Sequence, residues 1–230
     1  MTRMPALACA AGLVAGLVLV ASPASADVPN GQDALARSAG VMLAPADVPS
    51  SLRVGSQYGF SALEGIASTP DLCMRNARLV SGSPTPTSYS AGVDGGERSK
   101  RRVAQDVYEY GSLAAAAAAW NTLVRGAEKC SGTVTETVDG RTTTQALTTG
   151  RTGATIVGQT GVWVLADVSG DTSRSDTDRY TTYFVVGSTI QATTWTSRAR
   201  LKVDAGRRAF IQGLAVTLAS RWLASAPASG

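Results

Sequence analysis

Polar and apolar positions alternate most clearly over residues 102–110. Val103, Gln105, Val107 and Glu109 fall on one side and Ala104, Asp106, Tyr108 and Tyr110 on the other, which predicts a strand. Gly111 ends it, and Ser112 stands where the cap of a following helix belongs. The run Ala114 to Ala119 has high helix propensity. Leu113, Ala116, Trp120, Leu123 (or Val124) and Ala127 share one helical face, so a helix to about Lys129 must pack by that stripe. Trp120 is its natural core anchor.

Beyond Cys130 the period shifts from helical to alternating. Residues 133–138 and 141–147 flank Asp139-Gly140, a two-residue hairpin signal. Residues 154–157, 161–168, 179–186 and 189–197 are rich in Val, Ile, Thr, Tyr and Trp, and predict a continuing antiparallel meander. Gly187-Ser188 makes its last tight turn, and residues 169–178 form a longer polar loop. A terminal helix over about 205–223 follows, capped by Asp204, with Ile211, Ala215, Leu218 and Trp222 on its buried face. Residues 224–230 form a small-residue tail. Earlier in the chain, residues 34–39 predict a short helical stretch, and residues 41–49, with Pro45 and Pro49, the end of a strand and a turn. Residues 81–96, with Pro84, Pro86 and several glycines, predict a surface loop. The expected fold is a single α+β domain: an antiparallel sheet of about five to seven strands with two main packed helices and one disulfide.

The first residues carry a different message. Arg3, the apolar stretch Leu13 to Val20 and Ala24-Ser25-Ala26 have the layout of a cleaved secretory signal over residues 1–26, with Asp27 as the mature start. The expected organisation is then a flexible leader over 27–40, a domain over 41–223 and the tail. The apolar stretch falls short of the ~20 residues of a membrane span, so no transmembrane anchor is expected in the mature chain. Export places Cys73 and Cys130 in an oxidising compartment, where a bond between them is the plain reading. It would stabilise the fold by about 4 kcal/mol in the chain-entropy treatment. Cys9 would leave with the signal.

Composition removes whole classes of chemistry. The 230 residues contain no histidine, which excludes Ser-His and Cys-His triads, His-ligated zinc and imidazole pH switches. The formal net charge is only +4, and the one basic run, Arg98-Ser99-Lys100-Arg101-Arg102, reads as a solvated strand edge, so no nucleic-acid partner is expected. Asp167, Asp171, Asp176 and Asp178 gather oxygen ligands in one loop, but their spacing matches no calcium loop and Arg174 and Arg179 neutralise them. No metal or other cofactor is expected. Glu109, Glu136, Asp106 and Asp167 are acids of the kind that serve glycoside hydrolysis, but nothing selects a pair among them. No Ser stands three residues before Lys100, Lys129 or Lys202, so the Ser-x-x-Lys acyl-transfer arrangement is missing. Trp163, Tyr180, Tyr183, Phe184 and Trp195 either fill the core or line a cleft for an apolar or sugar-like ligand; Trp163, Tyr180, Tyr183 and Trp195 are the candidate cleft aromatics.

The order of several segments resembles a known family. Leu43-Ala44-Pro45-Ala46-Asp47-Val48-Pro49, Asp71-Leu72-Cys73, and Val107-Tyr108-Glu109-Tyr110-Gly111-Ser112 leading into an alanine-rich helix that ends Ala127-Glu128-Lys129-Cys130-Ser131-Gly132 are similar to the PknH-like extracellular sensor domains of actinobacteria. The resemblance spans about residues 41–223 and rests on order and spacing. It implies an antiparallel sheet with packed helices and a cleft for an unidentified ligand, attached to a receptor kinase in some members and secreted alone in others. Two features depart from it: the C-terminal half lacks the cysteines of a second family disulfide, and no kinase segment is present. The family transfers no ligand residues. The expected function is a secreted, non-catalytic sensor-like domain for an unidentified envelope or extracellular ligand or protein. The alternatives are a histidine-independent hydrolase and a secreted inhibitor or adaptor.

Overall fold

The protein is described here by a computed structural model, covering residues 40–53, 57–63, 87–95, 101–129, 132–138, 141–169, 177–198 and 203–225. The expected signal, leader and 34–39 helix, together with Cys73 and Cys130, lie outside the described residues.

Among the described residues, eight strands form one antiparallel sheet, one more than the expected five to seven: β1 (Gln57–Leu63), β2 (Thr87–Asp94), β3 (Arg101–Glu109), β4 (Gly132–Val138), β5 (Arg141–Ile156), β6 (Gln159–Ser169), β7 (Thr177–Val186) and β8 (Thr189–Arg198). Their spatial order is β1-β2-β3-β8-β7-β6-β5-β4. Two meanders, β1 to β3 and β4 to β8, are thus joined where β3 pairs with the last strand, with Val103 opposite Trp195 and Val107 opposite Gln191. Helix α1 (Leu113–Lys129) carries the chain from the middle of the sheet to its far edge, and α2 (Ala205–Ser225) follows the last strand.

The helices cover opposite faces. On one, Ala116, Ala119, Trp120, Leu123 and Ala127 of α1 pack on Leu147, Val162, Val164, Ala166 and Ile190. On the other, Ile211, Leu214, Leu218 and Trp222 of α2 pack on Tyr89, Val103, Val107, Tyr180 and Trp195, with Met42, Leu43, Val48 and Leu52 closing the side. Strand β7 is therefore buried on both faces, with Tyr180 and Phe184 towards α2 while Tyr183 and Val185 face α1. The expected caps are in place. Ser112 Oγ accepts the Ala115 N–H at 3.1 Å, and Asp204 Oδ1 accepts the Arg207 N–H at 2.7 Å. Thr149 of β5 donates to the Ala127 carbonyl near the end of α1 at 2.7 Å, binding a helix-end acceptor to the sheet.

Several sequence expectations are corrected. Residues 87–94 are not a surface loop but β2, with Tyr89, Ala91 and Val93 buried; the prolines and glycines before it masked a short strand whose apolar positions lie two apart. Residues 45–47 form a 3₁₀ turn and Ser50–Arg53 one helical turn, in place of a strand end, because the prolines there withhold the N–H groups of a ladder. The expected strands 141–147 and 154–157 are one strand, β5, with a register irregularity between Arg151 and Thr155. Leu113 is 67% exposed, since it begins α1 beyond the reach of the sheet.

Val157 is not the end of a strand but the first turn residue of the β5–β6 hairpin. It has φ 48°, beside Gly158 at φ 73°. Two positive φ values suit a tight hairpin, yet a β-branched residue is strained there. At 71% exposure its side chain contributes little packing. Val157→Asn is expected to raise stability by about 1 kcal/mol. A urea midpoint equal to or below that of the parent would show that no strain is held at this turn.

Candidate functional site

A pocket of about 360 Å³ opens on the α2 face of the sheet, and four chain segments build it. Pro49 and Leu52 supply one apolar wall from the N-terminal turns. The sheet supplies Arg101 at the start of β3 and Trp195 on β8, and the first turns of α2 supply Asp204, Arg207 and Phe210. Arg101 shares its face with Trp195 because Val103, two residues further along β3, is the direct partner of Trp195.

The electrostatics of this pocket are uneven. Asp204 is occupied twice over: it caps α2 and pairs with the Arg207 guanidinium at 3.1 Å. That guanidinium lies 6.0 Å from the Trp195 ring centroid, a cation over an aromatic wall. Arg101 has no carboxylate partner among the described residues, in contrast to Arg102, which sits 3.8 Å from Asp94. Among the described residues, the Nε of Arg101 and the indole Nε1 of Trp195, itself only 4% exposed, are buried donors without a hydrogen-bond partner. Buried donors are ordinarily satisfied, so two unpaired ones on one pocket wall mark it chemically.

The structure separates the sequence-selected aromatics. Trp195 lines the pocket. Tyr180 is fully buried beside it in the sheet, donors and rings enclosing it: Gln212 Nε2 donates to its hydroxyl at 2.6 Å and Trp163 lies 5.8 Å away. Trp163 is half-buried, with its indole N–H on the Arg151 carbonyl at 3.0 Å. Tyr183 belongs to the α1 face, so the four do not share one cleft.

Nor do Asp106 and Glu109 converge. Asp106 and Glu109 point to opposite faces of β3. Asp106 is held by the Ser90 hydroxyl, and burial raises its pKa above the ordinary carboxylate value against the lowering effects of that bond and of Arg102. Glu109 accepts the Tyr89 hydroxyl at 3.1 Å. Asp167 and Asp178 are direct partners across β6 and β7, while Asp171 and Asp176 lie outside the described residues. Arg101 was concealed in a basic run that reads as a solvated edge. Its signal was parity with inward-facing Val103, Gln105 and Val107, which only the pairing of β3 makes decisive.

No family model and no curated protein matches the chain. The crystal structure of the extracellular domain of PknH from Mycobacterium tuberculosis is similar, with a TM-score of 0.56 and 14% sequence identity, over 81% of this chain and 96% of that one. At that identity the likeness concerns the fold, which is that of a PknH-like extracellular domain. No described helix is long and apolar enough to cross a membrane.

Proposed function

We propose that the chain is a secreted, non-catalytic domain of the sensor type that binds a ligand outside the cytoplasm. The observation that carries this reading is the α2-face pocket, where an aromatic wall and two unpaired buried donors meet. The likeness in fold to an extracellular domain and the signal-like residues 1–26 support export. The placement of Asp106 and Glu109 on opposite faces supports binding over acid–base catalysis. A Cys73–Cys130 bond belongs to the same reading, as does cleavage after Ala26.

Protein taken from native culture medium without reductant is expected to show a denatured mass that starts at Asp27 and lacks two hydrogens. Under non-denaturing conditions it should carry extra mass from a retained small molecule. A bare native mass, together with turnover of ester, glycoside or peptide substrates that is lost on point mutation, would replace the reading with an enzymatic one.

A further inference from the structure

The proposed ligand-binding role leaves the class of ligand open, and the pocket wall itself narrows it. Three of its apolar contributors, Leu52, Trp195 and Phe210, come from different segments and are buried or half-buried in one packed cluster, so they form a continuous surface suited to a chain or ring. Against this surface stand, among the described residues, two guanidinium groups and a single carboxylate. Asp204 is spent on the α2 cap and on Arg207, which leaves the positive charge of Arg101 uncompensated among the described residues. A half-buried guanidinium without a counter-ion is a costly arrangement that a bound anion would relieve. A guanidinium in the lining of the pocket is well suited to an acid oxygen, because guanidinium–oxyanion hydrogen bonds are among the stronger ones in proteins.

We propose that the pocket takes a small anionic amphiphile, with a carboxylate or phosphate head paired to Arg101 and an apolar chain or ring held against Trp195, Phe210 and Leu52. This rests on the ligand-binding reading and goes further by fixing the polarity and charge of the ligand. A sugar, which would need a dense set of alternating donors and acceptors, fits this wall poorly: Asp204 is the one carboxylate on it among the described residues, and that carboxylate is engaged. A cationic ligand would face Arg101 and Arg207 together. The head group is shared by free fatty acids, aryl acids and lipid phosphates, and the body distinguishes them by size.

The test titrates the intact secreted protein with decanoate, decyl phosphate, decanol and acetate, followed by calorimetry and by native mass. Decanoate or decyl phosphate should bind, decanol at least about tenfold more weakly, and acetate not measurably, since head and body are both needed. Tighter binding of decyl phosphate points to a lipid-phosphate source, and tighter binding of decanoate to a free acid. Arg101→Gln should weaken the anionic probes about tenfold and leave decanol unchanged, while Arg101→Lys, which keeps the charge, recovers most of the loss. Phe210→Ala should weaken the anionic probes and decanol alike. Thermal midpoints confirm that each variant is folded. Equal binding of decanoate and decanol, or an Arg101→Gln protein that binds decanoate as the parent does, overturns the proposal. Failure of all four probes while the native protein still carries another adduct overturns the amphiphile class and spares the ligand-binding reading. The same failure with a bare native mass overturns both.

Discussion

Truncating Trp222 to alanine is expected to destabilise the protein by about 3–5 kcal/mol, a large share of what holds a domain of this size together. Trp222 is 5% exposed near the end of α2, with its ring centroid 5.9 Å from that of Tyr89 at an interplanar angle of 49°. It closes the cluster that joins α2, the N-terminal residues Met42 and Leu43, and the buried faces of β2 and β3. Removal of the indole forfeits its transfer from water and leaves a cavity that rigid strands on one side cannot fill. Trp222→Phe keeps an aromatic face against Tyr89 and should recover more than half of the loss. Urea unfolding followed by circular dichroism is the appropriate readout, because indole fluorescence changes with the substitution itself. An alanine variant within about 1 kcal/mol of the parent would mean that α2 does not dock through Trp222. Since α2 also supplies Asp204, Arg207 and Phe210 to the pocket, the same variant should bind the amphiphile probes more weakly wherever α2 loosens.

The second large effect is expected at Asp47. Arg221 of α2 grips its carboxylate with both terminal nitrogens, at 2.7 and 3.0 Å, and its Nη1 also reaches the Met42 carbonyl at 3.4 Å. The same carboxylate accepts the Ala44 N–H at 2.8 Å, so one acid holds a turn and ties it to a helix far along the chain. Its side chain is 14% exposed and that of Arg221 33%, which keeps solvent screening partial. The Arg221 guanidinium holds the Asp47 carboxyl below the usual value, against an opposing effect of burial and with help from the Ala44 N–H. Reciprocally, that carboxylate raises the pKa of Arg221. Asp47→Asn should cost about 2 kcal/mol at neutral pH, because an amide cannot repeat the two charge-assisted bonds. A folded pKa lowered below the unfolded one gives stability that is fully present above about pH 4 and is lost as pH falls through the folded value. The gap between parent and variant should therefore stay constant from pH 7 to about pH 4 and narrow below it. A gap that persists unchanged to pH 2, or never exceeds about 0.5 kcal/mol, would show that the pair does not hold the N-terminal turn to α2.

Local geometry explains why so much of the fold was legible. Ser112 and Asp204 marked both helix starts because a cap is a contact over three residues. The faces of α1 and α2 followed from their 3.6-residue period, and Gly187-Ser188 from the shape of a two-residue turn, with Gly187 at φ 57°. Strand β2 escaped because glycine and proline dominate the residues before it, and its burial comes from β3 and the N-terminal segment, not from its own composition. The pocket escaped for a related reason. Phe210 and Arg207 read as ordinary helix positions, and Arg101 as one more charge in a basic run.

The sequence by itself determined the two helices, the C-terminal meander and the shared side of Val103, Gln105 and Val107. These are set by backbone periods and caps that act over a few residues. Only the tertiary structure decided that β3 lies against β8, that Tyr180 and Tyr183 serve opposite layers, and that Gln105 is buried because it accepts the Leu43 N–H at 2.7 Å and donates to Gln191 at 3.2 Å. It also decided that Asp47 meets a guanidinium 174 residues away and that Arg101 joins Trp195 in one wall. Such partnerships depend on how two meanders and two helices sum their packing, and a polar residue facing inward carries no local mark of the partner it will find.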